Sequence, residues 1–248
     1  KNHKPYVSCN VCVVEVKGRR NLVPSCATRV APDMEIETKN ERVTTARKTA
    51  LELLLSNHYA DCVSPCKIGC PAHVDVQGYI ALASMGLYKE AVDLIRKTNP
   101  FPSICGRVCV RKCEDVCRRE IIDEPVAINN IKRYVSDEPE AYEKVPSRKE
   151  FTGKKVAVVG AGPSGLTAAY FLGLNGHEVK VFEELPKSGG MLRYGIPEYR
   201  LPKKILDREV EYITRASHAT IEYNKAIGKD IPIAQLHQEY DAVYVSGG

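Results

Sequence analysis

Ten cysteines carry the most distinctive chemistry of this chain, at positions 9, 12, 26, 62, 66, 70, 105, 109, 113 and 117, with none beyond Cys117. Thiolates either pair as disulfides or ligate soft metals. The stretch DCVSPCKIGCP, residues 61–71, holds three thiols, and CGRVCVRKCEDVC, residues 105–117, holds four at intervals of four. Disulfide frameworks belong to small secreted domains. Here the start, KNHKPYVSCN, has no secretion signal, and a cysteine-rich front gives way abruptly to a cysteine-free back. Structural zinc usually takes pairs spaced Cys-x2-Cys, a spacing shown only by Cys9 and Cys12. The run Cys66-x3-Cys70-Pro71 ends like a ferredoxin motif, in which the cysteine before proline serves the second of two clusters. Seven cysteines in two bunches fit two four-iron cubes better than one zinc, which stays as the alternative metal.

A second chemistry begins at GAGPSG, Gly160–Ala161–Gly162–Pro163–Ser164–Gly165, which follows the apolar run Val156 to Val159. Gly160 permits a tight turn, Gly162 lets backbone approach a pyrophosphate, and Gly165 lets a helix pack on a strand. The helix start favours the anion. Glu183 ends the next expected strand about 20 residues on, where it can accept from ribose hydroxyls. This combination reads as a dinucleotide site. No Ser-His-Asp set or carboxylate pair suggests hydrolysis, and no catalytic side chain is expected.

The elements that must position these groups change character along the chain. VSCNVCVVEV and NLVPSCATRV, before residue 31, read as strands and turns. Residues 40–58 carry a helical stripe, Val43, Ala46, Ala50, Leu53 and Leu54, with Asn40 as its cap. HVDVQGYIALASMG and LYKEAVDLIRKTNP predict two short helices, the second stopped at Asn99-Pro100. If CGRVCVRKCEDVC is helical, its thiols share one face. EPVAINNIKRYV predicts a helix with Pro125 at its start. The polar residues 136–153, with Pro139 and Pro146, read as a linker, after which a strand–turn–helix–strand unit begins. The net charge of +5 is dispersed among acids, so no nucleic-acid stripe is expected. No apolar run approaches the roughly 20 residues of a membrane span. Exposed clusters would call for a reducing compartment, so a cytoplasmic, reducing or anaerobic location is expected.

Residues 57–248, carrying CVSPCKIGCPAHVD, CGRVCVRKCEDVC and the glycine turn, resemble the glutamate synthase small subunit, the N-terminal part of dihydropyrimidine dehydrogenase, and the flavin subunit of NADH-dependent ferredoxin:NADP oxidoreductase. The resemblance implies one four-iron cluster on Cys62, Cys66 and Cys117, and another on Cys70, Cys109 and Cys113. The family's further upstream cysteine is missing here, and His58-x3-Cys62 instead resembles the His-ligated cluster of the complex I large iron–sulfur subunit. The family's Glu or Gln fourth ligand to the other cluster aligns with Lys132, whose ammonium has no lone pair. Cys105 is the other candidate, so that ligand stays open. GGMLRYGIPEYRLPK resembles the family's flavin-side signature. It implies FAD contacts from Glu183, Glu184, Gly189, Gly190, Met191, Arg200 and Ile227, with Arg193 and Arg200 offered to phosphates.

The front, SCNVCVVEVKGRRNLVPSCATRV, resembles the two-iron ferredoxin domain of complex I and related formate dehydrogenases. Cys9, Cys12 and Cys26 match three of its four ligands. The expected fold class is α/β multidomain. It comprises a partial ferredoxin-like β segment over 1–56, an α-helical two-cluster domain over 57–147, and an incomplete Rossmann-like FAD domain over 148–248, cut before an NAD(P)H domain. Both ends read as cut. The expected function is an electron relay between NAD(P)H, FAD and iron–sulfur clusters, two [4Fe-4S] and a [2Fe-2S] if its missing ligand exists. The expected partner is a redox protein or the subunits of a larger complex, such as a ferredoxin, hydrogenase or formate dehydrogenase, electron-bifurcating forms included. The alternatives are a glutamate synthase small subunit and a zinc-stabilised binding module without redox chemistry.

Overall fold

The computed structural model of the chain describes residues 8–56 and 62–247, which fall into two compact units, 1–62 and 63–248. The first unit centres on a small antiparallel sheet. β1 (Val13–Val16) lies between β2 (Val23–Pro24) and β3 (Ile36–Glu37), with Val14 opposite Val23 and Val16 opposite Ile36. β-branched valines suit this half-buried pleat, and Val13, Val14 and Val16 are buried. Helix α1 (Glu41–Ser56) starts where expected, because Asn40 Oδ1 accepts from Val43 N–H at 2.8 Å. Arg47 Nε donates to the Val13 carbonyl at 2.8 Å and ties the helix to β1. Of the expected stripe only Val43 is buried. Ala46, Ala50, Leu53 and Leu54 line an open groove of about 810 Å3 that also reaches Cys9 and Leu22.

The second unit begins with short helices: α2 (Pro65–Ile68), α3 (Val76–Ser84), α4 (Tyr88–Arg96), α5 (Pro102–Val108), α6 (Lys112–Asp115) and α7 (Ile128–Asp137). Asp75 caps α3 by accepting from Gly78 N–H. The run of cysteines from 105 to 117 is not one helix. It breaks after Val108, with Cys109 extended and Arg111 left-handed at φ 62°. An unbroken helix would string Cys105 to Cys117 over about 18 Å, whereas the break turns α6 back against α2. There a Cβ on Gly69 would meet Val116 at 2.8 Å. Pro125 does not open α7. A tight turn from Val126 C=O to Ile128 N–H precedes a helix that starts at Ile128.

The segment read as a linker is a packed strap. Residues Pro139–Tyr142 form a 3-10 turn, Ala141 is buried, and the Tyr142 ring stacks edge-on against Tyr212 at 5.8 Å. Beyond it lie β4 (Lys155–Val159), α8 (Pro163–Leu174), β5 (Glu178–Glu183), α9 (Met191–Tyr194), α10 (Lys203–Ser217), β6 (Thr220–Tyr223), α11 (Ile233–Glu239) and β7 (Ala242–Val245). The parallel sheet has the order β6-β5-β4-β7, with Val158 opposite Val181 and Tyr244. The order reverses at β4, so the carboxyl end of β4 is the crevice where doubly wound sheets bind ligands. The fold is therefore α/β and multidomain, as expected.

One core joins the helices to the sheet: Phe101, just before α5, and Ile104 within it pack with Val158, Leu166, Tyr170 and Leu206. A second core, around Tyr79, Val92, Ile95, Ile128 and Val135, includes Cys113.

Candidate iron–sulfur and nucleotide sites

In the second unit Cys70 and Cys109 lie within electrostatic reach of Cys113. Cys113 is buried, and its thiol is pushed up to about 11, first by burial; Cys109 and Cys70 are close enough to push it further, while Lys132 opposes them. Tyr79 lies beside Cys113, Cys66 and Cys70, and its hydroxyl donates to the Ile128 carbonyl at 2.9 Å. Burial raises that phenol, so it stays protonated. Cys109 Sγ accepts from Arg111 N–H at 3.4 Å, the kind of hydrogen bond that tunes an iron–sulfur potential. The left-handed turn at Arg111 aims that N–H.

Lys132 is buried and acts electrostatically on both Cys113 and Cys105. Cys105 itself donates its thiol to Asn99 Oδ1 at 3.8 Å and packs on the sheet-side core. Burial raises its thiol, the mark of an inert cysteine. Cys66 and Cys117 are half-buried. Pro65 and Cys117 line one surface hollow. Cys62 is exposed and closes the first unit. His58 lies outside the described residues.

In the first unit Cys9 and Cys26 are exposed and Cys12 is half-buried. Hydrogen bonds from the backbone and thiol of Cys26 lower Cys12 to about 7. The reciprocal bond raises Cys26, and Cys9 is near enough to add to that rise. Cys9, Cys12, Cys26, Cys66, Cys70, Cys105, Cys109, Cys113 and Cys117 are free thiols. Among the described residues no three His, Cys, Asp or Glu side chains converge on the position of a single metal ion. The thiol-only donor sets suit iron or another soft metal.

The glycine turn sits at the carboxyl end of β4. Gly160 has φ +96°, open to glycine at no steric cost. A Cβ on Gly165 would strike the Gly160 carbonyl at 1.9 Å, so only glycine lets α8 start this close. Gly162 and Gly190 face each other across the turn, and a Cβ on Gly190 would meet Gly162 Cα at 3.0 Å. Gly189 N–H donates to the Ala161 carbonyl at 2.8 Å, fixing the second loop on the first. This bare backbone cradle, at the start of the twelve-residue helix α8, fits a pyrophosphate.

Glu183 is buried, and its carboxylate accepts from Ala161 N–H at 2.7 Å and Leu185 N–H at 3.0 Å. Each oxygen retains a second lone pair. Ser164 Oγ shares a hydrogen bond with Tyr244 at 2.9 Å. Pro163, Glu184, Met191 and Arg200 are exposed around the cradle sequence, and Ile227 is half-buried. Arg193 is engaged elsewhere: Nε donates to the Ser188 carbonyl at 2.6 Å and Nη2 pairs with Asp207. These bonds secure the Ser188–Gly190 loop.

Residues 2–41 match a 2Fe-2S iron–sulfur cluster binding domain, residues 36–144 the 4Fe-4S domain II of dihydropyrimidine dehydrogenase, and residues 158–226 an NAD(P)-binding Rossmann-like domain. The chain resembles iron–sulfur oxidoreductase subunits. It is 42% identical over 212 residues to the NADP(+)-dependent formate dehydrogenase subunit beta of Moorella thermoacetica, covering 75% of this chain and 29% of that protein. It is 42% identical over 189 residues to the NADPH-Fe(3+) oxidoreductase subunit beta of Geobacter sulfurreducens, covering 75% of this chain and 28% of that one. To the glutamate synthase [NADPH] small chain of Bacillus subtilis it is 38% identical over 200 residues, covering 76% of this chain and 40% of that one. The chain thus spans well under half the length of these relatives. Among the described residues no helix is long and apolar enough to cross a membrane.

Two groups that hold these sites together carried no signal in the sequence. Glu209 is fully buried, and it accepts from Ser103 N–H at 2.9 Å, Ile104 N–H at 3.1 Å and the Tyr142 hydroxyl at 3.0 Å. A side chain of α10 thereby caps α5, the helix that leads to Cys109. Tyr79 reads in the sequence only as an apolar helix position, yet it lies beside three thiols.

Proposed function

We propose that this chain is the cluster-bearing and flavin-binding part of an iron–sulfur flavoprotein subunit that relays electrons between NAD(P)H and a redox partner. The observation that carries this reading is the joining, within one compact unit, of the Cys70–Cys109–Cys113 thiol group to a glycine-lined nucleotide cradle. Cys70, Cys109 and Cys113 would hold one four-iron cluster. Cys66 and Cys117 would serve the other, and Cys9, Cys12 and Cys26 a two-iron site. The Gly160–Gly165 turn, with Gly189 and Gly190, would take the pyrophosphate of FAD, and Glu183 and Arg200 its ribose and phosphate edges.

The chemistry these groups supply when bound is the division of a hydride's electron pair into single electrons and their onward passage. The chain's own residues position and shield. Tyr79 and the apolar residues around Cys113 keep water from that thiol, and Arg111 N–H steadies Cys109. Glu209 fixes the helix between cradle and thiols. Lys132, buried near Cys113, would bring positive charge close to a cluster held on these thiols and would favour its reduced state. A ferredoxin, hydrogenase or formate dehydrogenase module is the kind of partner this relay serves, in a reducing cytoplasm, and the relatives from Moorella and Geobacter support that reading.

Anaerobic purification with analysis of iron, sulfide, zinc and flavin tests it. About eight to ten irons and one FAD per chain are expected; zinc without sulfide or flavin overturns it. The similarity to the Bacillus subtilis small chain favours a second reading, electron delivery to a glutamate synthase. Glutamate formation from glutamine in the native complex would select it.

A further inference from the structure

A cavity of about 540 Å3 lies where α4 meets residues 144–146, α8 and α10. None of the cysteines and none of the glycine-turn residues lines it. Tyr170, its first contact on α8, stands seven residues past the helix start at Pro163, about 10 Å along the axis. The cavity is therefore distinct from both sites above.

Its walls are of two kinds. Tyr170, Phe171 and Leu174 make an apolar side, while Arg96, Lys97 and Lys144 bring three positive charges. The one acid on the wall, Asp93, is paired with Lys89.

Arg96 is only 3% exposed. Its guanidinium stacks 3.6 Å from the centre of the Tyr212 ring and 4.7 Å from that of Tyr142, and Nη1 donates to the Ala141 carbonyl. Nε and Nη2 make no hydrogen bond of good geometry; Tyr212, which also lines the cavity, has its hydroxyl close to both Arg96 and Tyr170. Glu209 lies near enough to interact electrostatically with Arg96, but its oxygens serve Ser103, Ile104 and Tyr142. Buried donors are almost always satisfied, and exceptions call for a water, an ion or a function. Unsatisfied donors of a guanidinium, with two lysines beside them and an apolar wall opposite, are the recognition elements for an anionic head on an apolar body.

We propose that this cavity binds a small organic anion, its phosphate or carboxylate head on Arg96, Lys97 and Lys144 and its body against Tyr170, Phe171 and Leu174. The occupant bridges α4 and the strap to α8 and α10. It therefore stiffens the joint between the cluster-bearing helices and the parallel sheet, as an effector would.

The test is calorimetric titration and thermal unfolding of the cofactor-loaded chain with inorganic phosphate, phenyl phosphate and benzoate, at ionic strength held constant with chloride. Saturable binding of phenyl phosphate, tighter than inorganic phosphate, is expected, with a melting temperature that climbs with the logarithm of its concentration. The double variant K97A/K144A, which removes two exposed side chains and leaves the core intact, binds about tenfold more weakly. Arg96→Lys keeps the charge but loses the planar fork, and weakens binding as well. Binding of phenyl phosphate alone assigns a phosphate head, and equal binding of benzoate with the same variant sensitivity assigns a carboxylate head. No binding beyond the chloride control, affinity unchanged in K97A/K144A, or a structure of the saturated chain with only water at Arg96 overturns the proposal. Each readout compares the same preparation with and without anion, so a failure here is distinct from a failure of the electron-relay reading, which iron and flavin analysis decides.

Discussion

The two thiol groups of this chain occupy opposite surroundings. Cys9, Cys12 and Cys26 sit on loops around a three-stranded sheet, two of them exposed, with hydrogen bonding that lowers Cys12 to about 7. Cys70, Cys109 and Cys113 sit among packed helices, where burial pushes Cys113 up to about 11. A ligand must be deprotonated to bind metal. Cys12 approaches that state by itself, whereas Cys113 needs the metal to drive it. The contrast also separates two ways of placing a ligand. The front relies on loop hydrogen bonds; the inner group relies on helices held by a shared core.

The largest expected effect tests whether the inner group is a cluster site of its own. Cys113→Ser should lose about four irons per chain and leave the front site filled. Cys9→Ser should lose about two, with the inner clusters intact. Iron and sulfide analysis with electron paramagnetic resonance of the reduced protein reads both. Equal losses from the two variants would dissolve the comparison.

Next in size is the support of the inner group. Glu209→Ala removes the acceptor for two N–H groups of α5 and the Tyr142 hydroxyl, and takes away an acid that interacts with Arg96. A loss of about 3 kcal/mol is expected, with chemical denaturation as the measure. Burial holds the Glu209 carboxyl above the usual carboxylate range. The folded state then keeps its proton where the unfolded chain has released it. Stability from this group is therefore greatest below the ordinary carboxylate pKa and falls as pH rises through the raised one. Glu209→Gln should flatten that fall, and a pH series of unfolding curves checks it.

The glycine turn, the alternation of strand and helix after residue 155, and the cap at Asn40 were legible because each is a local rule written in neighbouring residues. The resemblance alone proposes a shared cluster for Cys70, Cys109 and Cys113. Helical spacing places the thiols from 105 to 117 on one face only if the run is helical, and the break at Cys109–Arg111 turns the chain back instead. The bonds of Arg193 to Ser188 and Asp207 had no signal in the sequence. Glu209 and the strap at 139–142 left no trace, because their partners lie far away in the chain. Tertiary pairing of that kind has no period to detect.

A smaller effect compares accessibility directly. In the metal-free folded chain near pH 7, iodoacetamide should label Cys9, Cys12 and Cys26 well before Cys113, which is 6% exposed. The thiolate is the reactive form, so the raised Cys113 thiol reinforces what its burial already imposes. Mass spectrometry of timed digests gives the order. Early labelling of Cys113 would mean that the inner helices open without metal.

The smallest effect asks how the front unit is held. Asn40 caps α1 through Val43 N–H and also donates to Glu15, which Arg42 grips at 2.7 Å. Only Val43 of α1 is buried, so the apolar stripe adds little, and the cap and the ion pair carry much of the helix's attachment. Asn40→Ala should cost about 1 kcal/mol. Hydrogen exchange should quicken along Glu41–Ser56 while α5 and α7 stay unchanged. If exchange in α1 did not respond, the open groove beside Cys9 would have to be closed by packing that outweighs the cap, and the front unit would be held, like the inner one, by its core.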